Sequence, residues 1–170
     1  MIAFIWARFK YFKIDSQAAK NTSYLYDPIA ALHICLTYYH YLNAREINYL
    51  LGLLTGLLYL SGFVLFLVTI SGARTRGYAF SNNIEQLITS GTYGFVRHPL
   101  YVSYALIWIG SAILFNSILL WITLAYLLVF YIVTATQEEK TISKSKYSGE
   151  YDNYRRDVGM FLPRIKGWKS

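Results

Sequence analysis

Charge is scarce in this chain. Only 15% of its 170 residues are Asp, Glu, Lys or Arg, against roughly 25% in an average soluble domain, while 55% are hydrophobic. An ordinary soluble domain is excluded on that balance. Cysteine is scarcer still. Cys35 stands alone, which rules out an intramolecular disulfide and a multi-cysteine metal site. His33 and His40 lack metal-ligand spacing to any partner and read as interfacial side chains, so no metal is expected. No repeat and no low-complexity linker divides the sequence, and one membrane domain over 1–170 is expected. Acid is short relative to base, 9 Asp and Glu against 16 Lys and Arg. No separate basic domain exists to hold nucleic acid, so the net charge of +7 is read as attraction to anionic lipid headgroups.

Long apolar runs are what the chain has instead. Ile47 to Ile70 carries no ionisable side chain at neutral pH. As a helix it is about 36 Å long, enough to cross a hydrocarbon core of about 30 Å. Pro99 to Phe115 and Ser117 to Ala135 are two more uncharged stretches, parted by Asn116, and read as a helical hairpin with a tight turn at Asn116-Ser117. Pro28 to Leu42 is a shorter fourth candidate. The opening MIAFIWARFKYFK has Arg8, Lys10 and Lys13 inside or after its apolar part, the wrong order for a signal peptide; it reads as a fifth, amphipathic helix lying in the membrane surface. The expected fold is therefore all-α and polytopic, with about four transmembrane helices, N-terminal helices over 1–70, a functional core over 83–170 and an amphipathic C-terminal tail. With four crossings, 15 of the 16 Lys and Arg residues share one side and only Arg45 faces the other. The positive-inside rule makes the rich side cytoplasmic, with both termini there.

Two regions carry chemistry. In LITSGTYGFVRHPLYVSY (Leu87 to Tyr104) a Ser90-Gly91 turn precedes Arg97, His98 and Pro99. Proline suits the first helical position, where its missing N–H has no partner to lose. His98 then sits at the helix cap and Tyr101 one turn inside, beside free N–H groups and a positive dipole end that suit an anion. Taken alone, Arg97 and His98 also fit simple anchors among headgroups. Beyond the last apolar run, Glu138 and Glu139 begin a cytoplasmic helical extension. Tyr147, Tyr151 and Tyr154 follow at i, i+4, i+7 on one helical face, with Glu150, Arg155 and Arg156 opposite, and Phe161 to Ile165 is apolar enough to return to the membrane. Gly52 and Gly56 form a G-x-x-x-G that reads as a close helix contact. The 17 tyrosines mostly suit interfacial aromatic belts.

These motifs, together with KYSGEYDNYRR and FLPRIKG, resemble the isoprenylcysteine carboxyl methyltransferase and phospholipid methyltransferase family over residues 87–167. The resemblance implies a membrane enzyme that uses S-adenosylmethionine, bound on the cytoplasmic side by the R-H-P-x-Y turn and the segment after the last span. His98 and Tyr101 match the family's cofactor-contact positions, and Arg97 and Tyr93 of the same segment are counted with them. Glu139, with Glu138 as its rival, matches the carboxylate after the last helix. A lipophilic or prenylated acceptor would arrive from the bilayer and meet the cofactor at the interface. A carboxylate acceptor needs no base at neutral pH, whereas an amine would give a Glu or His98 that role.

Two departures bear on the acceptor and the packing. The prenylcysteine enzymes carry an arginine on the last helix just before the Glu, whereas Ala135 to Gln137 occupy that place here; this weighs against a carboxylate acceptor, so an activity most like isoprenylcysteine carboxyl methyltransferase and its alternative, N-methylation of a phospholipid or lipid amine, both stay open. Ser103 stands where a glycine is common, which affects packing. Adjacent glutamates on a helix point about 100° apart, so one is expected at the site and the other exposed, with Glu139 favoured for the site. A sterol-type NADPH reductase, whose turn differs at Leu100, Ser103 and Tyr104, and a non-catalytic membrane protein are the competing readings.

Overall fold

The computed structural model describes residues 17–72 and 87–164, with side chains from residue 24 onward in the first stretch. The surface helix expected over the first residues lies outside them, as do Arg74, Arg76, Ile165, Lys166 and Lys169.

Five α-helices and a short 3-10 turn make up the described chain: α1 (Gln17–Asn43), α2 (Tyr49–Gly72), the 3-10 turn Gly91–Gly94, α3 (Pro99–Phe115), α4 (Ile118–Ser143) and α5 (Ser148–Asp157). An isolated bridge between Val96 and Gly159 is the one β-type pairing among the described residues. Both α2 and α4 are long and apolar enough to cross a membrane, while α3 is apolar but shorter.

Local sequence explains the boundaries. The Asn48 side-chain oxygen accepts from the N–H groups of Leu50 and Leu51 at 3.0 and 3.2 Å, capping two donors that the first turn of α2 leaves free. Pro99 opens α3 as expected. The expected hairpin turn is present: Asn116 closes α3 in the left-handed region, φ 45° and ψ 39°, a conformation asparagine tolerates better than most side chains. Its side-chain oxygen accepts from Trp121 Nε1 at 3.0 Å, tying the turn to α4. Helix α1 starts eleven residues before Pro28, where apolarity alone would begin it; the polar stretch from Gln17 to Asp27 continues the helix without being apolar.

Helix α3 lies between α2 and the α1–α4 pair. Its last residue, Phe115, stacks on His40 near the end of α1. At the opposite end, the Thr69 hydroxyl near the end of α2 donates to Thr92 in the 3-10 turn at 3.1 Å. The four long helices thus alternate in direction. One end of the bundle holds the turn at 116–117, and the other holds the Arg97-His98-Pro99 segment.

Close packing falls elsewhere than on Gly52 and Gly56. Among the described residues, nothing lies within 4 Å of a methyl placed on Gly56, and Gly52 meets only Ile47 just before its own helix. One intimate contact is at Gly62, where an added methyl would sit 2.7 Å from the Ser103 carbonyl oxygen and 3.0 Å from Ile107; another is at Gly110 of α3, where it would meet Tyr59 at 2.9 Å. Ser103 is itself fully buried, which supports its packing role. Spacing reveals small residues on one face, but only the partner helix decides which of them is approached. Gly62→Ala is expected to destabilise by about 1–3 kcal/mol through overpacking, whereas Gly56→Ala should be neutral. Unfolding of the two variants in detergent checks this, and equal behaviour would contradict the packing described.

His33 is not interfacial. It is fully buried between three helices, with Nδ1 2.8 Å from Thr123 Oγ1 on α4 and Nε2 2.9 Å from Ser111 Oγ on α3. Its ring meets Trp108 edge-on at 5.0 Å. His40 keeps partial exposure. The tyrosines also divide: Tyr24, Tyr38, Tyr39, Tyr41 and Tyr49 are exposed as belt residues would be, while Tyr131, Tyr151 and Tyr154 are buried.

Candidate functional site

The site is built on a crossover of backbone. Gly91, at φ +66°, admits the turn that a side chain would strain. The chain then runs through Val96 to Arg97 and His98, whose backbone N–H groups donate to the carbonyls of Gly159 and Met160 at 2.9 and 3.1 Å. The segment after α5 is therefore strapped directly over the Arg97-His98-Pro99 turn. Helix α5 is held from below by its tyrosine face. Tyr151 and Tyr154 are buried with Leu87 and Val158, and the Tyr154 hydroxyl donates to the Tyr93 carbonyl at 2.6 Å. The expected amphipathic register of the tail is the one observed, with Glu150, Arg155 and Arg156 outward.

Helix α4 continues past its apolar part and carries both glutamates to this crossover. Arg97 grips Glu139 with two donors, Nε to Oε1 at 2.8 Å and Nη2 to Oε2 at 3.2 Å. Its remaining Nη1 donates to the carbonyls of Val158 and Arg155. His98 Nε2 donates to Glu139 Oε1 at 3.1 Å, and its Nδ1 faces Glu138 Oε2 at 3.5 Å. The Tyr101 hydroxyl donates to Glu138 Oε1 at 2.7 Å.

Arg97, His98, Tyr101, Glu138 and Glu139 thus form one network, and the Tyr93 carbonyl instead accepts from Tyr154 on the buried face of α5. Neither glutamate faces away. The imidazole of His98 stands between the two carboxylates and engages one with each nitrogen, so side chains about 100° apart on the helix still converge. They differ in exposure: Glu139 is 11% exposed and Glu138 29%.

Electrostatics follow the geometry. Burial alone would raise the Glu139 carboxyl, but hydrogen bonds from His98 and Arg97 and their charges outweigh it and hold it at about 2. Burial would lower His98, and the two glutamates more than reverse that, raising it above its ordinary value. Burial and the nearby Glu139 charge push the Tyr151 hydroxyl up. The signs fix a pH window. Glu139 contributes stability above about 4.5 that is lost as pH falls toward 2, and His98 contributes stability below about 6.5 that is lost as pH rises through its raised value. The wild type should therefore lose part of its stability on the alkaline side. In His98→Gln that alkaline loss should disappear, which unfolding measured across pH will show; an unchanged alkaline limb would assign the loss to another group.

Below the carboxylates lies a column of rings that the sequence did not reveal. His98 stacks on Tyr101 at 5.5 Å and 10°, and Tyr101 stacks on Tyr131 at 5.1 Å and 12°. The Tyr131 hydroxyl accepts from Trp108 Nε1 at 2.8 Å and pairs with the Tyr26 hydroxyl of α1 at 3.0 Å. Phe161 packs on His98 at 5.8 Å, its ring tilted by 45°, while Leu162 is exposed. The one available signal was the polar-tipped aromatics deep inside uncharged runs, since a buried Tyr or Trp needs a partner for its polar atom.

Residues 47–149 match the family model described as phospholipid methyltransferase, which covers α2 to α4 and both glutamates. A methanethiol S-methyltransferase from Crocosphaera subtropica is 37% identical over 82 residues, 48% of this chain and 31% of that protein. The aligned part thus spans about a third of that relative's length. No solved structure matches the chain.

Proposed function

The chain belongs to the phospholipid methyltransferase family, and on that premise we propose that it is an integral membrane methyltransferase that uses S-adenosylmethionine to methylate a lipophilic acceptor. The observation that carries this reading is the network itself. A turn opening an apolar helix and a carboxylate pair closing another, 37 to 42 residues apart in sequence, meet at one end of the bundle beside a stack of aromatic faces.

The residues fit such a cofactor. A partly exposed carboxylate suits its ammonium, and the N-terminus of α3 suits its carboxylate. When bound, S-adenosylmethionine supplies an electrophilic methyl group. The chain's part is alignment for in-line displacement, exclusion of water by Phe161 and the strap, and removal of a proton where the acceptor carries one.

The acceptor is read as a lipid amine rather than a prenylcysteine acid. Arg97 and His98, the two cations of the network, are both engaged by the glutamates, leaving neither free to receive a carboxylate. The name of the 37%-identical relative favours a second reading, a thiol, which also reacts after losing a proton. The reading includes four crossings with the site facing the cytoplasm, supported by the alternating helix directions and by Arg45 lying at the end opposite the network.

Calorimetry tests the function. S-adenosylhomocysteine should bind and NADPH should not; the reverse would make the protein a reductase, and binding of neither would remove the enzymatic reading. Methylation of N-acetyl-S-farnesylcysteine in preference to phosphatidylethanolamine or an alkanethiol would overturn the acceptor assignment. With Cys35 replaced by Ala, labelling of single cysteines at Asn116 and Ser148 from the same membrane side would overturn the topology.

A further inference from the structure

We infer that the two adjacent glutamates have divided roles: Glu139, clamped by Arg97, is a positioning residue that holds the C-terminal strap over the turn, and Glu138 is the carboxylate that meets the cofactor's ammonium. This rests on the methyltransferase reading for its ligand, while its first half rests on contacts within the chain alone.

The division follows from counting what each oxygen already holds. Glu139 Oε1 receives Arg97 Nε at 2.8 Å and His98 Nε2 at 3.1 Å, and Oε2 receives Arg97 Nη2 at 3.2 Å. A fork-to-fork pair of this kind is both stronger and more directional than a single contact. Bringing an ammonium to Glu139 would mean displacing an arginine that has nowhere else to put its charge. Arg97 is occupied on its far side as well, since Nη1 donates to the carbonyls of Val158 and Arg155. One guanidinium therefore joins the end of α4 to the segment leaving α5, and backbone bonds from Arg97 and His98 to Gly159 and Met160 complete the strap.

Glu138 is differently placed. Among the described residues, Oε1 accepts one neutral donor, the Tyr101 hydroxyl, and Oε2 faces His98 Nδ1 alone at 3.5 Å, beyond a short charged hydrogen bond. Its side chain is 29% exposed against 11% for Glu139. It has room to accept a further charged donor. The Glu139 clamp fixes the rotation of α4, and that rotation presents Glu138.

Two nucleosides separate contact from positioning. S-adenosylhomocysteine carries the amino-acid ammonium, and 5′-methylthioadenosine lacks it. Glu138→Gln should weaken binding of S-adenosylhomocysteine by about 10- to 100-fold, the loss of one hydrogen bond between charged groups, and leave 5′-methylthioadenosine within about twofold. Glu139→Gln should weaken both by the same factor. Selective loss of S-adenosylhomocysteine in Glu139→Gln would overturn the assignment. Hydrogen exchange at the backbone amides of Arg97 and His98, which donate into the strap, tests the clamp by itself in the ligand-free protein. Arg97→Lys, which keeps the charge but loses the fork, and Glu139→Gln should each speed exchange there, and Glu138→Gln should not. Equal exchange in all three variants would overturn the clamp. If the wild-type protein binds neither nucleoside, the functional reading and the Glu138 role fall together, while the exchange result still decides the clamp.

Discussion

Arg97→Ala is expected to cost about 3–5 kcal/mol of folding stability, the range for removing one partner of a buried ion pair. The side chains of Arg97 and Glu139 are 10% and 11% exposed, so the carboxylate left behind keeps only His98 as a cationic partner. The carbonyl of Val158 loses its guanidinium donor in the same step, and the strap loses its side-chain anchor. An arginine merely snorkelling among headgroups would behave otherwise, because an exposed pair contributes about 0–1 kcal/mol. Unfolding of the variant in detergent, compared with the wild type, distinguishes the two. A second variant guards against reading a general folding defect as the pair. Arg97→Ala combined with Glu139→Leu removes the orphaned charge and should recover much of the loss, since replacing both members of a buried pair by apolar groups is far cheaper than removing one. Failure of the double variant to recover would show that the backbone strap, rather than the charge, is what Arg97 supplies.

That contrast marks where sequence was informative and where it was not. The residue types at the site were legible: Pro99 marks a helix start, the glutamates follow an uncharged run, and the tyrosine spacing sets the face of α5. Each is a local signal, written in propensity or periodicity. Partnerships were not legible. That Arg97 turns inward to Glu139, and that His98 bridges both carboxylates, depends on how the end of α4 meets a turn about 40 residues earlier. Gly52 and Gly56 illustrate the same limit. Their spacing is suitable for close packing, yet α3 approaches α2 at Gly62 and, through Gly110, at Tyr59, points chosen by the shape of α3. The hairpin at Asn116 was the easy case, because a left-handed turn between two apolar runs is decided by the turn residue itself.

Helix α1 was the hardest element to place, and it carries the other large expected effect. His33 occupies the junction of α1, α3 and α4, and His33→Ala should destabilise by about 2–5 kcal/mol, as other large-to-small changes in a packed core do. The hydrogen bonds alone would not predict so much. Interhelical bonds within membranes average only about 0.6 kcal/mol, and neither hydroxyl is orphaned by the change. Ser111 still donates to the carbonyls of Ile107 or Trp108, and Thr123 to those of Leu119 or Leu120. The dominant loss is the packed ring against Trp108. His33→Leu, which refills most of that volume without any polar atom, should therefore recover more than half of the stability that alanine loses. Thermal unfolding of the two variants decides the point, and equal damage from leucine and alanine would show that polar pairing holds α1 in place. The effect should reach the site only weakly. Tyr26 of α1 touches the ring column through Tyr131, two stacked rings from His98, so a loosened α1 should reduce S-adenosylhomocysteine affinity a few-fold while stability falls far more. An intact affinity alongside the stability loss would place α1 outside the function of the network altogether.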